Sequence, residues 1–491
     1  MAPPDASQKI SRIQRVLRRA DYTEKRINQL LDVAELPTYR QRSQSAPLYR
    51  WRVRGGSPLE ILVRLFFLRQ AGSLDEVRHG IEPTQLEDWV AAGLLDVNGG
   101  HVTAIAELCP YGSLVLAADW ADGAQPDLHQ VMGIAASSRT LAQATIRRHS
   151  KATLDLGTGC GILALLAAAH SERIVAVDSN PRALAMAQLN TGLNGVANIE
   201  FLEGDLFEPV KGSQFDLIVC NPPFVVAPEQ IYLHSHSDMP LDGLCETLIR
   251  TAPAFMREGG YCQLLCNWVQ RAGEDWQARL QSWFDGSGCD AWILHSHSED
   301  AADYAFKRIS NLGSSAEQLE ERFNKWIGFY ERERVEAVGF GMITMRRSNR
   351  AANWFKCDSW PKMIGPCGDA IERRFACHDF IEAHRDDDEL LGACLDRAPN
   401  LQRQQRHELS ADGWQLNQAE LQLTSGLAFS GNAGPEVVDF VSRCDGKLRL
   451  RDYLNEQAAA GHRDSEKFTA DFLRVVRRLI ELGFLHPRRV K

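Results

Sequence analysis

The chain has no apolar run long enough to cross a bilayer, so an integral membrane protein is not expected. A secretory leader is missing too: Ile10 to Leu31 reads as one basic, amphipathic helix with charges throughout, not as an uninterrupted apolar stretch. The twelve cysteines show no dense framework spacing, which fits the reducing cytoplasm better than a disulfide-stapled exterior. Nor is there a close Cys-x2-Cys pair. The one ligand-like group, Cys357, Cys367, Cys377 and His378, therefore reads as buried thiols with a neighbouring imidazole, and no metal is expected. An excess of basic residues is absent: the net charge of -9 argues against broad affinity for polyanions, although a local patch can override the total. What the chain does have is length, since 491 residues at 44% hydrophobic composition can bury two or three cores.

The most informative segment is Asp155-Leu156-Gly157-Thr158-Gly159-Cys160-Gly161. Ahead of it runs Ala152 to Leu156, an apolar strand, and behind it Ile162 to Ala169, an apolar run of helical character. Strand, tight turn and helix in that order place a helix start against a polar ligand. The glycines suit a turn whose backbone angles or close approaches a side chain would obstruct. Ile162 stands where the dinucleotide fingerprint has its third glycine, so a pyrophosphate is disfavoured. The next strand, Arg173 to Val177, ends at Asp178, about twenty residues beyond the first glycine, where a carboxylate can accept hydrogen bonds from ribose hydroxyls. Ile199 to Leu202 reads as a third strand, with Asp205 and Leu206 just past its carboxyl end.

A fourth strand, Phe215 to Cys220, leads into Asn221-Pro222-Pro223-Phe224. Two consecutive prolines fix the backbone and donate no hydrogen bond, so the Pro222 carbonyl can be held toward a ligand. A planar amino nitrogen carries two hydrogens and a delocalised lone pair. The Asn221 side-chain oxygen and the Pro222 carbonyl can accept both hydrogens, and Phe224 can stack on the flat group presented.

On these motifs the chain resembles the class I S-adenosylmethionine-dependent methyltransferases, over roughly residues 125 to 350. The resemblance implies that Asp155 and the loop residues Gly157, Thr158, Gly159 and Gly161 hold the methionine end of S-adenosyl-L-methionine. It also implies that Asp178 takes the ribose, that Asp205 and Leu206 lie beside the adenine, and that Asn221 borders both cofactor and acceptor. Asn221, Pro222 and Phe224 are the implied catalytic set, acting by positioning and polarisation because the sulfonium already activates the methyl. Families with this tetrapeptide methylate glutamine in proteins, adenine N6 or guanine N2. Phe224 is more usual among ribosomal RNA guanine methyltransferases; Val225 to Pro228 and Leu241-Asp242-Gly243-Leu244 look like the glutamine-methylating group.

Gly259 to Asn267 reads as a fifth strand, Trp276 to Phe284 as a helix, Ala291 to Leu294 as a sixth strand and Val338 to Met345 as a seventh, which the resemblance makes antiparallel and internal. Residues 299–334 read as a helical insertion whose Phe323, Trp326, Phe329 and Tyr330 pack a core. Two similar segments, His234 to Asp238 and His295 to Glu299, are placed at the ends of sheet segments as lid polarity. The flanks read as helices with hairpin wings: Pro58 to Val102, with an Asn98-Gly99-Gly100 turn, and Val437 to Leu485.

The expected fold is thus α/β, a seven-stranded Rossmann-like sheet at 121–350 between winged-helix-like domains at 1–120 and 351–491. The expected activity is methylation of a planar amino nitrogen on ribosomal or transfer RNA or on a translation protein. Protein N5-glutamine methylation specifically, DNA adenine methylation, and a non-catalytic binding protein on the same fold are the alternatives.

Overall fold

The structure is a computed structural model describing residues 4–120, 127–229, 233, 237, 239–310, 315–350, 352–410, 413–459 and 466–488. The chain divides into two compact units, residues 1–142 with 149–359 and residues 143–148 with 360–491.

The first unit is built on an eight-stranded sheet: β1 Ser150–Leu156, β2 Ser171–Asp178, β3 Ile199–Glu203, β4 Phe215–Cys220, β5 Met256–Arg271, β6 Cys289–Asp300, β7 Val335–Arg347 and β8 Phe355–Ser359. Their spatial order is β8-β6-β7-β5-β4-β1-β2-β3. β7 runs antiparallel between β5 and β6, as expected, while β1 to β4 are mutually parallel. The inner strands are buried on both faces, which is why they read as continuous apolar runs and not as alternation. One face holds Leu154, Ile218, Leu264, Trp268 and Ile343 with Leu248 and Trp283 from helices; the other has Ala164 and Ala167 against Ile174 and Ala176.

Two expectations need correction. The sheet has one strand more than seven, because Phe355–Ser359 pairs parallel to β6 after a short return that carries no motif of its own. The segment Ile10 to Leu31 is two helices, Pro4–Arg19 and Glu24–Leu31, broken where Asp21 adopts a left-handed φ of 54° and the Thr23 hydroxyl caps the second helix through Arg26 N–H.

Helices Pro58–Phe66, Leu74–Ile81 and Leu86–Ala91 accompany a small sheet of Gly72–Ser73, which lies between the first two, Leu95–Asn98 and His101–Ala104. Their core continues through Ile13, Val16, Leu17 and Tyr22 to Leu193 on the helix Pro181–Asn194, so these helices and the central sheet share one packed body. Buried Asn190 clamps the junction: its side chain bonds both the N–H and the carbonyl of Ala117, at 2.6 and 2.9 Å, and donates to the Cys160 carbonyl at 2.8 Å.

In the second unit, the helices Gly368–Ala383, Pro435–Arg443, Leu450–Ala459 and Glu466–Glu481 pack around Phe440, Tyr453 and Phe472, beside a sheet of Asp445–Arg449, Cys394–Arg397 and Leu485–Pro487. A long hairpin, Leu401–Ser410 with Gly413–Leu423, has no counterpart in the sequence reading.

Candidate active site

Strand register assembles the site. Leu156, the last residue of β1, pairs with Cys220 at the end of β4 and with Val177 near the end of β2; Asp178 pairs with Glu203 on β3. The glycine loop, Asp178, Asp205 and Asn221 therefore emerge side by side from the carboxyl edge. The order in which successive strands are added reverses between β1 and β4, the place where open α/β sheets receive ligands. A cavity of about 800 Å³ opens there, lined by Gly157, Gly159, Asp178, Asp205, Leu206, Asn221, Pro222 and Phe224 among others.

Gly157, Gly159 and Gly161 all have positive φ, at 71°, 54° and 83°. A Cβ at Gly157 or Gly159 would meet nothing within 4 Å, so these two leave open space beside the turn. At Gly161 it would lie 3.0 Å from Ala187 Cβ, so that glycine also serves close packing against the helix Pro181–Asn194. Asp155 holds the loop from within. Its Oδ2 accepts from Thr158 Oγ1 at 2.7 Å and from Ala164 N–H at 2.9 Å, and burial pushes its carboxyl up to about 7. Asp155 is not on the cavity wall, although its Oδ1 has no hydrogen-bond partner.

The Asp178 carboxylate accepts from Gly159 N–H at 2.8 Å and Asn180 N–H at 2.9 Å, and burial raises its pKa against the pull of these bonds. Asn180 caps the next helix and donates to the His129 carbonyl at 3.0 Å. Leu206, beside Asp205, takes a left-handed φ of 44°, an uncommon conformation for a leucine.

In the tetrapeptide, Asn221 Nδ2 donates to Ser137 Oγ at 3.2 Å and Ser138 Oγ at 3.1 Å. Its Oδ1 is buried without a partner. Among the described residues the Pro222 carbonyl accepts no backbone hydrogen bond. Phe224 meets Phe340 edge-on with ring centroids 5.7 Å apart, and Phe340 in turn meets His297 at 5.8 Å. Just beyond, Val226 is held by two tyrosines: its N–H donates to Tyr304 at 3.2 Å and its carbonyl accepts from Tyr330 at 2.8 Å. Tyr330 and Trp326 are buried with Tyr304 in one cluster, so the insertion packs a core beneath the post-tetrapeptide loop.

Several wall residues had escaped the sequence reading. Ser137, Ser138 and Gln130 to Gly133 carry no pattern that separates them from an ordinary loop. Asn180 could have been found, since an Asn followed by Pro181 is a helix-start signal.

Of the two histidine segments, the one at 234–238 contributes Ser237 to the cavity wall, whereas none of His295 to Glu299 lines it. His295 to Ser298 lies inside β6, not beyond it, because the strand runs on to Asp300 around an irregularity between His295 and His297. His295 stacks near Trp268 and Trp276, and burial lowers its pKa. His234, His236 and Asp238 lie outside the described residues. Among the described residues no group of three or more His, Cys, Asp or Glu is arranged to hold a metal, and no helix is long and apolar enough to cross a membrane.

The family described as Methyltransferase small domain matches residues 124–284, while residues 19–105 and 372–487 each match a domain of unknown function. A putative protein N5-glutamine methyltransferase of Methanocaldococcus jannaschii is 34% identical over 152 residues, 29% of this chain and 76% of that protein. The release factor glutamine methyltransferase of Xylella fastidiosa is 34% identical over 153 residues, 28% of this chain and 56% of its own length. That of Escherichia coli is 46% identical over 76 residues, 15% of this chain and 27% of its own length. This chain thus spans about half or less of those two release-factor enzymes.

Proposed function

The chain belongs to the methyltransferase small-domain family, and from that premise we propose that it transfers a methyl group from S-adenosylmethionine to the side-chain amide nitrogen of a glutamine in a translation protein. S-adenosylmethionine is the methyl donor, and the cavity residues fit it. No Lys, Arg or His lines the described wall, whereas Asp178 and Asp205 do, a balance that suits a cationic sulfonium and disfavours a phosphate. In this reading Asp178 takes the ribose hydroxyls, Asp205 and Leu206 border the adenine, and Gly157, Thr158 and Gly159 cradle the methionine end, with Gly161, off the cavity wall, setting the turn behind them. Asp155 fixes the loop that does so.

The observation that carries the acceptor assignment is the Asn221 amide. Two serine hydroxyls take its nitrogen and leave its oxygen unpartnered, so with the Pro222 carbonyl it offers two acceptors and no donor. An NH2 group needs that pair. Accepting both hydrogens withdraws the nitrogen lone pair from amide resonance and aims it along the line of attack. Bound S-adenosylmethionine supplies a methyl already activated by positive sulfur. With that methyl supplied, Asn221 and the Pro222 carbonyl would hold the nitrogen in line with it, and the proton lost on methylation would pass to solvent. Phe224, braced by Phe340, gives the flat acceptor an apolar face. A nucleobase amine is the second reading, favoured by that same aromatic surface. We further propose that segments within residues 1–120, although packed with the central sheet, and within 351–491 beyond β8 serve as winged-helix-like docking surfaces.

The test is transfer of tritiated methyl into fractions of the native host's lysate, divided by ribonuclease or protease before counting. Label lost only with protease and released as methylamine by acid hydrolysis is the expected result; label lost with ribonuclease assigns the acceptor to RNA and rejects glutamine.

A further inference from the structure

Between Glu35 and Glu60 the chain carries five arginines, Arg40, Arg42, Arg50, Arg52 and Arg54, and no acidic residue, within a protein whose net charge is -9. The structure sorts them. Arg42 is buried against Glu107 and stacked on Phe67, and Arg52 pairs with Asp32. Those two are structural. Arg40, on the helix Tyr39–Gln44, and Arg50, on the helix Ala46–Arg52, are exposed and have no carboxylate partner among the described residues. Arg54 is exposed as well, and its guanidinium lies 4.0 Å from the Trp51 ring while it donates to the Trp51 carbonyl at 2.8 Å.

Trp51 stands out within this basic segment. It is 61% exposed, next to Leu48 at 48% one helical turn earlier, on a helix that buries Tyr49. A merely solvated basic face would not present an indole to water. With Arg54 seated on the indole, cation and aromatic form one platform, and Arg50 and Arg40 supply further unpaired charge on the same helical pair.

We propose that this platform binds single-stranded or looped nucleic acid, a base stacking on Trp51 and the phosphates meeting Arg40, Arg50 and Arg54. Guanidinium groups pair with phosphate in bidentate fashion, and base stacking on an exposed aromatic needs no particular sequence. An acidic peptide would satisfy the arginines but leave the indole face without a flat partner, so the nucleic acid is the better fit. The platform stands apart from the methyl-transfer cavity, none of whose lining residues it shares. A glutamine acceptor presented on a ribonucleoprotein could therefore be recognised through its RNA.

The test is fluorescence anisotropy of the full chain with a labelled mixed-sequence single-stranded RNA, the DNA of the same sequence and a polyglutamate peptide, across a salt series. Expected are nucleic-acid binding that Trp51→Ala weakens at least tenfold, and an Arg50→Ala/Arg54→Ala variant whose plot of log affinity against log salt is shallower by roughly 0.7 per arginine removed. Tighter binding of RNA than of DNA would identify the source as RNA; equal binding would support the shared chemistry. Both variants alter exposed side chains, and an unchanged thermal transition with unchanged S-adenosylmethionine affinity confirms that the fold is intact. If either variant fails that check, Arg40→Gln with Arg50→Gln gives the same readout without touching the indole. Unaltered affinity and salt slope in folded variants, or polyglutamate displacing RNA at matched charge, overturns the proposal.

Discussion

At the residue scale, the most consequential feature is that Asn221 is oriented by its neighbours before any acceptor arrives. The Asn221→Ala variant is expected to lose about 10²-fold or more in methyl transfer, in line with the loss of a preorganised polar group at a reacting centre, while the dissociation constant for S-adenosylmethionine changes little. Isothermal titration beside a single-turnover assay separates the two; parallel losses would move Asn221 out of the acceptor role. Ser137→Ala/Ser138→Ala should lower the turnover rate with a smaller change in KM, because the amide is then free to rotate its nitrogen into the cavity. Replacement by threonine at both positions restores the hydroxyls and should restore much of the rate. Asp155 makes a pH-dependent prediction. Its folded pKa, about 7, lies above the ordinary aspartate value of 3.8, so between the two the folded state holds a proton that the unfolded chain has released. Stability from this group is fully present below the unfolded pKa and declines as pH rises from about 4 through about 7. Asp155→Asn, which mimics the protonated carboxyl, removes that slope. Melting temperatures of the two proteins from pH 4 to 8 should diverge across this window and run parallel above it; a constant gap would mean that Asp155 ionises normally.

Among the elements, register converts three separate motifs into one site, and this is where reading and structure meet most closely. Gly157, Asp178 and Asn221 were legible because each follows an apolar strand, and parallel strands with aligned ends bring such residues together. Ser137 and Ser138 were not, because a hydroxyl that orients an amide across the fold leaves no period or spacing in the chain. β8 was missed since Phe355–Ser359 is short and lacks the uninterrupted apolar run of the inner strands. Nothing in composition marked the hairpin Leu401–Ser410 with Gly413–Leu423 either, as its first strand is almost wholly exposed and polar. Asn190, by contrast, sits inside an ordinary helical stretch, and only the structure reveals that it joins Ala117 to the Cys160 carbonyl of the glycine loop. Asn190→Ala removes three buried hydrogen bonds and strands the Ala117 and Cys160 groups without partners. At about 1–3 kcal/mol for a buried group left unsatisfied, a loss of several kcal/mol is expected in urea denaturation, with weaker cofactor binding because the loop loses its anchor. A loss below about 1 kcal/mol would mean that water replaces the asparagine.

For the molecule as a whole, the N-terminal helices are load shared with the catalytic sheet and not an appendage. Ile13, Val16 and Leu17 are buried in the core that also includes Leu193, and Ile10 packs so closely on Gly192 that a Cβ there would lie 2.7 Å from its side chain. Each fully buried aliphatic contributes about 1.5–3 kcal/mol, so these three rival the whole net stability of an ordinary domain. The two-stranded sheet of Glu107–Tyr111 with Leu114–Ala118 and the Asn190 clamp belong to the same seam. Removing residues 1–120 would expose the outer face of the helix Pro181–Asn194, whose other side packs Gly161 of the cofactor loop. A chain restricted to residues 121–359 is therefore expected to lack a cooperative melting transition and to bind no S-adenosylmethionine, whereas residues 1–359 should keep both. Calorimetry on the two truncated chains decides it. A sharp transition in the shorter one would mean that the sheet closes its own core without the N-terminal helices.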